Sequence, residues 1–325
     1  MTTASIAPST TASTTASTAP FTSPTAATSR LRSSHIDEEV AARLLTSSTI
    51  LSFDPATEVD WDAPLDPTLY GLSPEWSTLY GTPLWASMSE EQRVTLTRHE
   101  MSSIMSTGVW FEMILQQMVL RDLYATDPCR SGFQFGLTEI GDECRHSIMF
   151  ARAMDKMGIA AYYPTRTAIE LARGYKTLAT GEGAYGGILV AEEVLDIMQR
   201  DLMRDERVLP VIRTTSRIHV VEESRHMTFA REEMKAALDG VGAMRRRRSA
   251  LLIAIVATVI VENLVNQQVY AAAGLDPLRA VEAARTNTHR ASMMRTSSAH
   301  LMEFLGECGL LTAPARALYA RLHML

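Results

Sequence analysis

Two five-residue cassettes, eighty positions apart, each set an acid before a Glu-x-Arg-His motif: Asp142-Glu143-Cys144-Arg145-His146 and Glu222-Glu223-Ser224-Arg225-His226. An α-helix turns about 100° per residue, so a Glu and a His three positions apart lie about 60° from one another and both side chains reach one point. One helical cassette can grip one metal ion. Two cassettes on facing helices, completed by one Glu from each of two further helices, make the dimetal carboxylate site of a ferritin-like bundle. A lone Glu-x-x-His is common and carries little weight; the matched pair is what restricts this chain to a helical bundle. The second cassette also extends one turn back to His219, four residues before Glu223, so His219, Glu223 and His226 fall on one face.

The rest of the chain agrees with an all-α reading. Apolar residues recur at helical spacing through long segments poor in Gly and Pro, and strand signals are scarce. The pattern predicts a short helix near 37 to 45, then irregular chain from 53 to 85, where Pro55, Pro64, Pro67, Pro74 and Pro83 interrupt it. Ser87-Met88-Ser89-Glu90 reads as a capping box opening a long helix to about 124. Further long helices are predicted over about 132 to 157, 184 to 204 and 209 to 238, with a connecting helix near 167 to 177. Gly158 and Gly240 stand at two of the helix ends. These four long helices would form the bundle, and helices over 250 to 273, 277 to 285, 291 to 306 and 314 to 323 would pack around it. The fold class is therefore a ferritin-like four-helix bundle with additional packed helices.

Composition bounds the partners. Residues 1–35 are almost entirely Thr, Ala, Ser and Pro, a segment that cannot bury enough apolar surface to offset its ordering entropy and is expected to be disordered. Residues 36–325 are then one domain. A formal net charge of -6 argues against a nucleic-acid partner. The basic run 245 to 248 precedes the apolar stretch 250 to 261, which is shorter than the roughly 20 residues a bilayer requires, so a buried core helix with a solvated basic start is expected and no membrane partner. Three cysteines without CxxC spacing fit a reducing, cytoplasmic setting.

The two single carboxylates must come from the other two long helices. Glu112 lies in Val109-Trp110-Phe111-Glu112-Met113-Ile114-Leu115, with no Lys or Arg between Met101 and Leu120. A carboxylate on such a face is costly unless it is neutralised or coordinates a metal. Glu100, in a polar stretch about 120° away around the helix, suits a solvated role. On the third long helix Glu192 is chosen over the adjacent Glu193, which only helical phase separates from it. The candidate ligands are thus Glu112, Glu143, His146, Glu192, His219, Glu223 and His226. Arg145 and Arg225 are expected to pair with Glu222 or Asp142 as braces. Imidazole and carboxylate donors suit iron, with manganese the other metal of this type, better than structural zinc. Four glutamates balance two divalent ions, and an oxo or peroxo dianion derived from O2 balances the oxidised pair.

In the order of these residues the chain resembles the non-haem di-iron N-oxygenases typified by p-aminobenzoate N-oxygenase and the arylamine oxygenase of chloramphenicol biosynthesis. Acyl carrier protein desaturases and ferritins share the twin cassette but resemble the chain less at His219. The resemblance covers residues 85 to 240. It implies that the seven residues ligate two irons, His219 being the additional nitrogen ligand, and that O2 as co-substrate forms a peroxo-diferric species which oxidises an amine through hydroxylamine towards a nitroso or nitro group. It also implies an external electron donor and a homodimer. Trp110, Phe111, Met113 and Met198 are candidate pocket walls. The face around Glu112 offers no Arg or Lys for an aminobenzoate carboxylate, so a different small-molecule or carrier-bound amine is expected. The competing expectations are a C–H hydroxylase or acyl desaturase on the same scaffold, and a ferritin-like iron-handling protein.

Overall fold

Ser89, rather than Ser87, opens the first long helix in the computed structural model, which describes residues 36–325. The Ser89 hydroxyl accepts from the Gln92 amide and the Gln92 side chain accepts from the Ser89 amide, both at 3.1 Å. Ser87 is unavailable because it closes a preceding short helix, donating to Leu84 O at 2.7 Å. The segment 1–35, expected to be disordered, lies outside the described residues.

The helices run in the order α1 (Glu38–Ile50), α2 (Pro55–Glu58), α3 (Pro83–Ser87), α4 (Glu90–Leu123), α5 (Ser131–Met157), α6 (Arg166–Leu178), α7 (Glu182–Leu202), α8 (Pro210–Leu238), α9 (Ala243–Asn263), α10 (Gln268–Ala272), α11 (Pro277–Arg285), α12 (Thr288–Glu307) and α13 (Ala313–Arg321). Among the described residues there is no β-strand, only one isolated parallel bridge between Tyr70 and Val208. The proline-rich stretch wraps the outside as irregular chain carrying α2, α3 and a single 3-10 turn. It crosses α4 closely at Gly71, where a Cβ would lie 2.3 Å from Arg98 Cα.

Four helices close the bundle: α4 packs on α5, α5 on α8, α8 on α7 and α7 on α4. The remaining elements cover it, with α1 against α5 and α8, α6 on α4, and α9 and α12 on α7. Apolar residues from the bundle and from α9, α12 and α13 merge into one core around fully enclosed Phe135, Leu189, Phe229 and Tyr319. Truncating one such aromatic to Ala typically costs about 3–5 kcal/mol.

The helix expected over 250 to 273 is broken. α9 ends at Asn263 and α10 begins at Gln268. Side chains of α4 satisfy backbone groups freed there: Thr107 donates to Asn263 O at 3.0 Å, and Ser103 donates to Leu264 O at 3.1 Å while accepting from the Asn266 amide at 2.8 Å. A helix can end inside a protein when its terminal groups find such partners.

Candidate metal centre

Helical phase on α5 and α8 decides which way each cassette faces. Glu143 and His146 of α5 and Glu223 and His226 of α8 all turn into the bundle, where Glu143, His146 and His226 are fully enclosed. His226 Nδ1 lies 2.9 Å from Glu143 Oε1 and 3.2 Å from Glu223 Oε2. His146 Nδ1 lies 3.1 Å from Glu223 Oε1 and 3.4 Å from Glu143 Oε2. Both imidazoles therefore aim the same nitrogen at the same pair of carboxylates. One turn earlier on α8, His219 Nε2 stands 3.3 Å from Glu223 Oε1 and 3.8 Å from Glu112 Oε1, which α4 contributes. Glu192, from α7, lines the same small space as Glu112 and His219 and feels the charge of Glu223. The seven side chains singled out in the sequence are thus all buried and drawn to one place from α4, α5, α7 and α8. Donor atoms of Glu112, His146 and His219, and of Glu143, His146 and Glu223, lie within 4.8 Å of one another in each set.

The opposite nitrogens are held crosswise. His146 Nε2 is 2.7 Å from Glu222 Oε2, and His226 Nε2 is 3.2 Å from Asp142 Oδ2. The acid preceding each cassette therefore orients the histidine of the other, fixing the ring and its tautomer as outer carboxylates do around metal-ligating imidazoles. The arginines act as braces: Arg145 pairs with Asp142 and lies 3.7 Å from Glu222, and Arg225 lies 3.6 Å from Asp142. Glu222 also accepts from the Phe53 amide at 3.0 Å. Ser147 donates to Glu112 Oε2.

Protonation follows from this crowding. Burial works against the charge on His146 and His226, but hydrogen bonds and charge from Glu143 and Glu223 overcome it and raise both well above the usual histidine value. Burial, followed by the charge of Glu223, pushes Glu192 well up; burial raises Glu112. Burial also opposes the charge on Glu223, but the imidazoles hold it well below the usual carboxylate range. A metal-free centre keeps itself neutral with protons.

Several sequence expectations change. Glu100 is not solvated: it is fully buried and accepts from the Thr78 amide at 2.9 Å and from the Thr78 hydroxyl. Glu193 pairs with Arg231 at 2.8 and 2.6 Å, away from the centre, as helical phase required. Phe111 lines the site, Met113 is exposed, and Met198 is off the lining but in the same apolar cluster as the lining residues Met101, Ile104 and Phe150. Cys144 is exposed, clear of the Glu143–His146 face. Glu139, one turn before Glu143, was not anticipated. It is buried, neither oxygen has a hydrogen-bond partner, and burial pushes its carboxyl up to about 8. Its position i-4 to a candidate ligand was the one available signal.

Iron fits these residues. The donors are only carboxylate and imidazole, which suit iron or manganese, and three carboxylate oxygens aimed inward, Glu112 Oε1, Glu143 Oε1 and Glu223 Oε1, accept no hydrogen bond although buried. The 2.9 Å approach of His226 Nδ1 to Glu143 Oε1 lacks hydrogen-bond alignment, as expected when both point at a third position.

Fold and site define the class, a ferritin-like bundle built around a dimetal carboxylate centre. Residues 35–309 match the family model described as P-aminobenzoate N-oxygenase AurF, and the chain belongs to that family. Two iron ions are the cofactor of this class. Proteins of Mycobacterium tuberculosis and Mycobacterium bovis, described as uncharacterized proteins Rv0885 and Mb0909, are each 26% identical over 219 residues, covering 64% of this chain and 63% of their own length. Among solved structures, an R2-like ligand-binding oxidase with aerobically reconstituted Mn/Fe cofactor aligns with a TM-score of 0.41 at 11% identity, covering 88% of this chain and 90% of that one. A variant of that oxidase with anaerobically reconstituted cofactor aligns equally, at 0.41 and 11%, over 88% and 91%.

Proposed function

We propose that the chain is an O2-dependent di-iron N-oxygenase in which Glu112, Glu143, His146, Glu192, His219, Glu223 and His226 hold the two metals. The observation that carries this reading is the third histidine: His219 reaches both Glu112 and Glu223, adding a nitrogen donor to the twin cassettes. In the first oxidation one atom of O2 enters an N–H bond to give a hydroxylamine. The other leaves as water, with two electrons from an external reductant and two protons; further rounds lead towards nitroso and nitro products. Bound iron supplies the activation of O2.

The chain's own residues do the rest. Glu222 and Asp142 keep the Nε2 nitrogens of the histidines occupied, leaving Nδ1 for the metal side. Ser147 restrains Glu112. Met101, Ile104, Phe111, Phe150 and Leu195 wall a space of about 40 Å3 beside Glu112, Glu192 and His219. On the scale where one water needs about 10–15 Å3, that space admits O2 and little solvent.

Anaerobically reduced, iron-loaded protein mixed with 18O2 and an arylamine should yield labelled hydroxylamine, nitroso or nitro product, and His219→Ala should abolish it. Consumption of O2 with every amine unchanged and a carbon centre hydroxylated would refute the N-oxygenase reading. A C–H hydroxylase on the same centre is favoured by one observation, a large apolar chamber beside the site.

A further inference from the structure

The residues just before the two single carboxylates border a second space that the carboxylates do not. Glu112 and Glu192 border the small cavity at the centre, while Phe111 and Ala191 border both that cavity and a second one of about 390 Å3. This chamber lies between α4, α6, α7 and α9, walled by Ile114, Leu171, Tyr175, Ile188, Val256 and Val259 among others. Its size is within the range of small-molecule sites. Taking about 30 Å3 per heavy atom, the volume of a liquid water, it holds roughly a dozen atoms.

Its chemistry is one-sided. Tyr175 has the one hydroxyl on the wall, and it is committed to Gly183 O and Ala184 O at 2.8 and 2.9 Å, an approach to α7 possible because Gly187 has no Cβ. The one charged residue on the lining is Glu170, an exposed acid paired with Arg173 at 2.8 Å. The cations nearest in sequence to these walls are occupied, Arg121 by Lys176 O and Ala179 O, and Lys176 by Gln117. Leu171 and Leu178, half and four-fifths exposed, leave apolar surface at the α6 side. A carboxylate entering here would find an acid and no cation on the lining.

We infer that this chamber holds the apolar body of the substrate, whose reactive nitrogen passes between Phe111 and Ala191 to the metal side. The substrate class is therefore an amine bearing an uncharged alkyl or extended aryl group of about a dozen atoms, not an aminobenzoate. The inference rests on the N-oxygenase reading for the nitrogen and on the chamber alone for the apolar part.

The two parts separate in one experiment. Iron-loaded full-length protein, held without O2, is titrated calorimetrically with 4-alkylanilines from methyl to octyl and with p-aminobenzoate. Burial of each methylene should tighten binding about fourfold until the chamber is filled. Val256→Trp, which occupies the chamber without touching the proposed ligands, should weaken octylaniline at least tenfold and leave the affinity for Fe(II) within about twofold. Affinity that is flat along the wild-type series, or p-aminobenzoate binding more tightly than octylaniline, overturns the assignment even if the variant fails to fold. A flat series accompanied by a change in sedimentation mass, or in adsorption to phospholipid vesicles, on Val256→Trp would overturn it in favour of a second copy or a lipid surface. When O2 and reductant are then admitted, carbon oxidation of a bound alkyl chain would refute the N-oxygenase reading and leave the chamber assignment standing.

Discussion

Loading the centre with iron must expel protons, and the structure says from where. In the metal-free site the carboxylates of Glu143 and Glu223 hold His146 and His226 well above the ordinary histidine value, so both rings are imidazolium at neutral pH. Each ring turns Nδ1 towards the shared carboxylates and Nε2 towards an outer one. A metal held by these rings would take the Nδ1 lone pair in place of that proton, while the proton on Nε2 would stay with Glu222 or Asp142. Two histidine protons therefore leave per fully loaded site, and any proton that burial keeps on Glu192 adds to them. By linkage, the overall constant for binding two ions falls at least a hundredfold for each unit the pH is lowered near neutrality, about 2.7 kcal/mol. Calorimetric Fe(II) titration under argon, repeated in buffers of different ionisation enthalpy, counts the protons directly. His226→Gln should lower the count by one. Release of fewer than one proton per loaded site, or an affinity unchanged from pH 6 to 7.5, would refute the protonated-centre account.

Three other outcomes follow. Asp142→Asn weakens the hold on His226 Nε2 and breaks the Arg145 pair, and should lower iron affinity by roughly ten- to a hundredfold with the far-UV spectrum unchanged. In the metal-free protein Glu139 keeps its proton up to about pH 8 when folded but loses it near 4.5 when unfolded, so stability is lost as pH rises through that interval. Glu139→Gln should be more stable than the wild type at pH 8.5, by at most about 5 kcal/mol, and the gap in urea midpoint should close by pH 4.5. Gly71→Ala puts a methyl against the backbone of Arg98 and should cost about 1–3 kcal/mol in urea unfolding, since backbone cannot give way as a side-chain tip can.

Much of the site was legible because its residues obey helical arithmetic. Spacing alone paired Glu143 with His146 and put His219 on the face of Glu223, and the cation-free run around Glu112 singled out the one acid of α4 that enters the centre. What escaped depends on partners remote in sequence. Glu100 follows Arg98 and His99, which look solvated, yet Arg98 reaches Leu69 O at 3.0 Å while Glu100 turns inward to Thr78. The end of α9 at Asn263 relies on Ser103 and Thr107, some 160 residues earlier. The cross-bracing of His146 by Glu222 and of His226 by Asp142 explains why an acid precedes both cassettes, but the pairing becomes visible only once α5 and α8 face one another.

The buried acids of this chain divide by how each escapes the cost of desolvation. Glu182 is paired with Arg245 at 2.8 Å and accepts from Ser249; Glu193 has Arg231; Glu222 has His146 and the Phe53 amide. Each is answered by a donor the fold supplies. Glu100, Glu112, Glu143 and Glu223 each keep one enclosed oxygen with no hydrogen bond, and Glu139 keeps two. A buried carboxylate oxygen without a donor costs stability, so such atoms gathered in one place call for an explanation. Here three of them share neighbours with His146 and His219, where a pair of cations would answer all three at once. Glu139 has no histidine of its own within its turn of α5 and meets the same cost by holding a proton instead. The acids beside the imidazoles are thus built to exchange protons for metal, and the acid one turn away is built to remain neutral next to them.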